Sequence, residues 1–281
     1  MTLVQTQHTV EIPGFATYQH QPGLPKPAIH PLRTPSGLVI SGFEMSDHIW
    51  HRGLWFTFKF LNGDNFWEEG PDTGAQETLG IPRATIVSGQ QIRVEQQLHW
   101  KNKRGHPVIR ERRVLNFIRH GGTIWQIDWS TDLQASEQLL IDRTPYTTWG
   151  GYGGLAFRAS RELHEACFLL PDGTQVEKLA GERHPWTIMQ GRLDGGAARF
   201  VSIGFVDHPR NYRAPTPWYN KSGGGFSFVN AAIVFHEPIS LEAQERLSLR
   251  YAVFVRDGLW QPGEFAAIAE EFSKKSEQTD G

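Results

Sequence analysis

The densest concentration of reactive side chains is Ser46-Asp47-His48-Ile49-Trp50-His51-Arg52-Gly53, which runs straight into the aromatic stretch Leu54-Trp55-Phe56. Two imidazoles, a carboxylate and a guanidinium in so short a span suit general acid–base chemistry. An imidazole with an ordinary pKa of about 6.5 gives and takes protons near neutrality. His48 and His51 would be the acid and base, and Arg52 would hold a substrate carboxylate or polarise a carbonyl. In an extended strand the two histidines point to opposite faces, whereas a turn lets them converge. A loop with locally satisfied histidines is the plainer alternative, yet loops on rigid scaffolds commonly carry function.

A second cluster, Asp207-His208-Pro209-Arg210-Asn211, follows the apolar run Phe200 to Val206 and leads through Arg213 to Pro215-Thr216-Pro217-Trp218-Tyr219. At a strand end a rigid sheet can hold such groups in place. Asp207 and His208 are therefore expected as the opposing catalytic pair, against the alternative of a loop that merely caps the fold. His30-Pro31-Leu32-Arg33-Thr34-Pro35-Ser36-Gly37 is a third proline-stiffened cluster.

Three loops with His and Arg suggest one pocket for an oxygen-rich, neutral or anionic small molecule. The chain also has 10 tryptophans, and aromatic faces pack on the CH faces of sugar rings while polar groups meet the hydroxyls. The expected substrate-binding set is His30, Arg33, Trp55, Tyr152, Arg158 and Trp218. For Trp100, Trp125 and Trp129, on strand faces, core packing is the better reading.

Other motifs fall away. Gly150-Gly151-Tyr152-Gly153-Gly154 precedes the strand-like Leu155-Ala156-Phe157-Arg158 rather than a helix, so it reads as a close-approach loop and not a phosphate loop. Gly223-Gly224-Gly225 reads as a flexible loop or lid. His164-Glu165 lacks the second histidine of a zinc protease helix, and no Gly-x-Ser-x-Gly elbow is present.

Composition bounds the partners. With 28 basic and 30 acidic side chains and a net charge of −2, the chain lacks the excess of positive charge that binds phosphate backbones, so nucleic acid is excluded. The single cysteine, Cys167, rules out an internal disulfide and a thiolate metal cluster. The polar start Met1 to Ile12 is no secretory signal and no apolar stretch is long enough to span a membrane, which predicts a cytoplasmic protein with no membrane partner.

The elements that must position these groups have a hydrophobic period of 2. Phe56, Phe58 and Phe60 share one face from Leu54 to Leu61; Ile92, Val94, Leu98 and Trp100 alternate with polar residues. Trp125, Ile127, Trp129 and Leu133 line a third strand, and Leu247, Leu249, Tyr251, Val253 and Val255 a late one. Turn residues fall between them at Gly63-Asp64, Asn102 to Gly105, Gly121-Gly122, Pro171-Asp172-Gly173 and Gly195-Gly196. Helical spacing occurs once, where Phe265, Ile268, Ala269 and Phe272 recur behind Pro262 with i,i+4 pairs Glu270–Lys274 and Glu271–Lys275. The prediction is an all-β fold: a large antiparallel two-sheet β-sandwich of about a dozen strands, closed by one helix over about residues 262–275. No Pro- or Ser-rich linker divides it, so 1–281 is read as a single domain with a frayed tail from Ser276. A propeller is the weaker alternative, for want of an internal repeat.

At these loops the chain resembles the PmoA-like family of soluble bacterial proteins. The matching stretches are His30-Pro31-Leu32-Arg33-Thr34-Pro35-Ser36-Gly37, Asp47-His48 with His51-Arg52-Gly53-Leu54-Trp55, and Asn62-Gly63-Asp64 with Phe66-Trp67. Later ones are Tyr152-Gly153-Gly154-Leu155, Asp207-His208-Pro209 with Pro217-Trp218, and Leu249-Arg250-Tyr251 to Asp257-Gly258. The family's inherited label, methane oxygenase, belongs to a membrane protein and does not describe a chain without a spanning segment. The resemblance implies instead a large sandwich similar to that of aldose mutarotases and other carbohydrate-active proteins. The family usually has Pro and His where Ile49 and Trp50 stand here, so a third histidine is missing from this loop.

The leading expectation is an enzyme acting on a sugar or sugar-derived acid without a cofactor. Epimerisation, hydrolysis and β-elimination all suit the groups present. The alternative from another class is a non-catalytic carbohydrate-binding or sensor module. A third reading places a divalent metal on His30, His48 and His51 or His208. Exposed strand edges in so large a sandwich allow a homodimer.

Overall fold

Alternating side chains force two sheets to face each other. The computed structural model describes residues 1–145, 150–195 and 198–274. One sheet has nine strands in the order Val4–Gln5, Thr9–Ile12, Ala16–Gln19, Ala28–Leu32, Leu54–Thr57, Gly154–Arg158, Phe228–Asn230, Pro217–Lys221, Lys178–Arg183. The other has ten. Its centre is the run Gln91–Lys101, Pro107–His120, Ile124–Ala135, Arg246–Asp257, Phe200–Asp207 and Trp186–Arg192. Pairing in both is antiparallel. The predicted sandwich with one C-terminal helix is the architecture observed.

One apolar cluster fills the space between the sheets. Ile29, Leu54, Phe56, Leu155, Phe157 and Val229 come from the nine-stranded side, and Trp100, Phe117, Ile127, Trp129, Leu249 and Val253 from the other. Each burial of a large apolar side chain contributes about 1.5–3 kcal/mol. Through this core runs a charged bridge. Arg113 donates to Glu111 at 2.7 Å and to Gln76 at 2.9 Å, its guanidinium lies 4.8 Å from the Trp129 ring centroid, and Glu111 also accepts from Trp100 at 2.7 Å and Thr131 at 2.6 Å. A buried charge survives only when paired in this way.

Strands are more numerous and shorter than the periodicity predicts, with 25 among the described residues. The run Leu54 to Leu61 shows why. Phe56 and Phe58 are core residues as expected, but the strand stops at Thr57 because Phe60–Leu61 leaves to pair with Leu139–Asp142 in a separate four-stranded sheet. Phe60 is consequently half-buried, under the Lys59 ammonium.

The helix spans Pro262–Lys274, with Phe265, Ala269 and Phe272 buried. It covers the outer face of the ten-stranded sheet, against Trp186, Ile188, Val206, Ala252 and Phe254. Gly204 admits it, since a Cβ there would stand 2.2 Å from the Phe265 ring. The Glu270–Lys274 pair forms at 2.6 Å. Residue 275 with its pair to Glu271, the tail from Ser276 and the second glycine of Gly195-Gly196 lie outside the described residues.

Candidate active site

Among the described residues, no helix lies over the outer face of the nine-stranded sheet. Alternation places Ala28 and His30, Trp55, Ala156 and Arg158, Phe228, and Tyr219 and Lys221 there, opposite the core-facing Ile29, Leu54, Leu155, Phe157, Val229 and Trp218. Trp55, Trp67 and Phe228 form a buried aromatic floor, and Trp50, Tyr152, Tyr219 and Phe226 are partly exposed around it.

Over this floor folds the hairpin of strands Phe43–Met45 and His48–Arg52, with Ser46-Asp47 as its turn. It returns to the sheet through Gly53, whose positive φ of 74° and 2.4 Å approach of a would-be Cβ to the Ile29 carbonyl oxygen admit only glycine. The hairpin is irregular. Phe43 pairs with Arg52 and Met45 with His48, so two steps on one strand oppose four on the other. This bulge cancels the alternation that would set His48 and His51 on opposite faces, and their rings stack at 4.6 Å.

His48 Nδ1 meets Asp47 Oδ2 at 3.0 Å. The same carboxylate accepts from Arg158 at 2.8 Å and from Arg161 at 2.9 Å. Burial raises the Asp47 pKa, but the hydrogen bonds from His48, Arg161 and Arg158 together hold it well below the usual carboxylate range. An ionised carboxylate on Nδ1 keeps the proton on that nitrogen and leaves Nε2 to exchange protons with a substrate. The His48 side chain is 38% exposed, so that nitrogen can be reached.

His51 is different. Its ring lies between His48 and Phe228, 5.2 Å from the latter, and against Trp55 at 5.1 Å. Burial, reinforced by His48, Arg158 and Lys26, pushes its pKa down to about 2. It is a neutral imidazole over the working pH range, and its Nδ1 has no hydrogen-bond partner.

Arg52 is not the free guanidinium the sequence suggests. It donates to Glu69 through Nε at 2.9 Å and again through a second nitrogen, and to Glu44 at 2.6 Å, while packing over Phe43. Glu69 also pairs with the buried Lys26 at 3.1 Å. Burial lowers the Lys26 pKa to about 8, against the pull of Glu69. Arg52 thus anchors the hairpin to the segment after Trp67, with each of its three nitrogens already bound to a carboxylate of the protein.

His30 also stacks on Phe43, 4.9 Å away, with Nδ1 2.8 Å from the Ser41 hydroxyl. Burial, with Arg33 adding to it, lowers its pKa to about 4. It borders the site. Arg33 donates to the Gly37 carbonyl at 3.0 Å within its own loop. Tyr152 lies 4.6 Å from Trp67 and 6.1 Å from Tyr219, its phenol pushed up to about 12 chiefly by burial. Its loop makes the expected close approach, a Cβ on Gly151 standing 2.7 Å from the Phe235 carbonyl oxygen.

Two expectations are corrected. Asp207 belongs to the ten-stranded sheet, where its carboxylate accepts from Asn211 and from the Thr216 amide at 2.7 Å each. His208 packs edge-on against Phe272 of the helix at 5.5 Å. Neither belongs with His48, because their strand runs in the opposite sheet. Trp218 faces the core, its Nε1 donating to the His184 carbonyl at 2.8 Å, and it cannot touch a ligand on the outer face. For a metal, no group of three His, Cys, Asp or Glu side chains is gathered among the described residues.

The sequence reading missed Trp50, Lys26, Glu69, Phe226, Tyr219 and Lys221 as site residues. Trp50 and Tyr219 stand inside the clusters it singled out, and Phe226 follows the triple glycine it took for a lid.

Residues 6–270 match the model of DUF6807, a family of unknown function. No curated protein matches. Among solved structures, a galactose mutarotase related enzyme from Lactobacillus acidophilus is 7% identical with a TM-score of 0.42, over 92% of this chain and 99% of that one. A GalM/aldose epimerase homologue from C. elegans is 10% identical with a TM-score of 0.39, over 91% and 98%. A heparan sulfate lyase HepC mutant from Pedobacter heparinus is 8% identical with a TM-score of 0.42, over 90% of this chain but 34% of the lyase. Likenesses this remote say nothing of this chain's substrate.

Proposed function

The chain belongs to DUF6807, a family without an assigned activity, and from its site we propose that it acts on a sugar or sugar-derived acid by general acid–base chemistry centred on His48. The observation that carries this reading is the Asp47–His48 pair at 3.0 Å, set at the edge of an aromatic floor. Trp50, Tyr152, Tyr219 and Phe226 offer flat faces to a pyranose ring, and His48 Nε2 meets a hydroxyl or a carbon-bound proton beside them. Asp47 orients the imidazole and stabilises its protonated form. His51 takes no proton but supports the His48 ring from beneath.

The second reading, a non-catalytic carbohydrate-binding module, is favoured by one observation. Of the five residues expected to be catalytic, His48 alone remains at the site as an exposed titratable group. No helix among the described residues is long and apolar enough to cross a membrane. A cytoplasmic location, a small-molecule partner and a homodimer joined at sheet edges belong to the proposal.

The test is turnover by purified protein on a panel of monosaccharides and uronic acids, with His48→Gln beside it. Acid–base catalysis predicts that the variant loses about 10²- to 10⁴-fold in maximal rate while still binding. Ligand-induced thermal stabilisation with no turnover by wild type would favour the binding module.

A further inference from the structure

Arg158 sits at the end of the strand Gly154–Arg158 with 1% of its surface exposed. One of its nitrogens donates to Asp47. The other two, Nε and Nη1, are buried and have no hydrogen-bond partner. A guanidinium always carries its charge and holds its donors in fixed directions, so two orphaned donors on one buried side chain mark edges where an acceptor is missing. The Phe226 ring packs against this guanidinium, its centroid 3.9 Å from the guanidinium carbon.

Phe226 is carried by Gly223-Gly224-Gly225, with φ values of 116°, 61° and 74° and open space where each Cβ would be. Three consecutive glycines at positive φ make a segment that can change course at little steric cost. A second cation, Lys221, stands 5.7 Å from the same ring and forms no ion pair among the described residues. Arg158, Arg161 and His48 already share the single carboxylate of Asp47. The charge balance around Phe226 is therefore positive.

We propose that Arg158, with Phe226 displaced, receives an anionic oxygen of the substrate at one of its unpartnered donors, Nε or Nη1, with Lys221 as a second counter-charge. The inference rests on the sugar reading of the same site and narrows it to acidic sugars. A carboxylate and a phosphate each supply an oxygen that accepts such a charge-assisted hydrogen bond, so the shared chemistry is a planar or tetrahedral oxyanion. Asp47 keeps its bond to Arg158 and so couples the anion's position to His48.

The experiment compares thermal stabilisation of the full chain by glucose, glucuronate and glucose 6-phosphate, and by the galactose and mannose counterparts of each. The expected result is a shift with an anionic member and at least about a tenfold weaker effect with its neutral parent, as loss of hydrogen bonds to a charged group implies. Stabilisation by the uronates alone identifies a carboxylate, and by the phosphates alone a phosphate. Arg158→Gln should abolish the preference. Arg158→Lys, which keeps the charge without the fixed donor directions, should retain part of it and serves if the glutamine variant fails to fold, with circular dichroism as the control. Equal shifts with neutral and anionic sugars, no shift with any anion, or an undiminished preference in the folded Arg158 variants would overturn the inference. A neutral sugar turned over by wild type and lost in His48→Gln would do the same while leaving the acid–base reading intact.

Discussion

His48 and His51 lie face to face, ring centroids 4.6 Å apart and planes inclined by only 15°. Two stacked imidazoles cannot both be charged at that distance, and the buried member is the one held neutral. The pair thus has one exposed ring and one buried neutral ring, and the acid–base proposal assigns the proton transfer to the exposed one.

His51→Phe should therefore leave the maximal rate close to that of wild type, in contrast to His48→Gln, since a phenyl ring can occupy the place between His48 and Phe228. Steady-state kinetics of the two variants decides this; equal losses in both would give His51 a chemical role.

The same substitution should change the acid limb of stability. His51 has its folded pKa lowered to about 2 against about 6.5 unfolded. Below pH 6.5 the unfolded chain takes up a proton that the folded chain refuses, so this residue's contribution is complete above that pH and is lost progressively as the pH falls. His30, lowered to about 4, acts in the same sense. Urea denaturation between pH 4 and 7 should show a shallower fall for His51→Phe than for wild type.

Asp207 works in the opposite direction. Burial, opposed by the hydrogen bonds from Asn211 and Thr216, raises its pKa to about 7. Between about pH 4 and 7 the folded chain holds a proton that the unfolded chain has released, so this contribution is greatest in acid and is lost as the pH rises through 7. Asp207→Asn removes the titration along with an acceptor for the Thr216 amide. The readout is the slope of stability against pH across this range: it should become more positive in the variant, and an unchanged slope would show that Asp207 is ionised throughout.

Arg52→Ala should unfold the hairpin rather than merely weaken substrate binding. Removing it leaves Glu69 with only Lys26 in a nearly buried setting, a loss of about 3–5 kcal/mol for a broken buried pair. A lowered melting temperature is the expected signature. A raised KM in a variant as stable as wild type would return Arg52 to the substrate.

Phe265→Ala should cost about 3–5 kcal/mol by emptying the slot over Gly204, yet the ligand-induced stabilisation of the folded variant should match wild type. The helix and the candidate site lie on opposite outer faces, so a loss of ligand response would reveal coupling through the core.

The sandwich and its helix were legible because both depend on local periodicity: Trp100, Trp125 and Trp129 are buried where alternation put them, and Phe265, Ala269 and Phe272 where a helical stripe did. The loop Asp47 to Arg52 was legible from residue type alone. Its partners were not, because Leu54–Thr57 and Gly154–Arg158 become neighbours only through sheet order, across some hundred residues with no local cue. Asp207 and His208 misled for the same reason. A strand end with a histidine and an arginine looks alike in either sheet, and no residue in Phe200–Asp207 says which sheet it joins.

The helix packs on one outer face of the sandwich and the hairpin with its aromatic floor lies on the other, which gives the molecule a front and a back. Lys274, in the helix's last turn and 72% exposed, is on the back. Two sheet layers, packed about 10 Å apart, separate that side from Trp50 and Phe226. A protein tethered to a solid support through this helix would present its aromatic floor to the passing solution. The same face laid against the support would be silent, so the orientation of attachment alone would serve as a control for ligand capture.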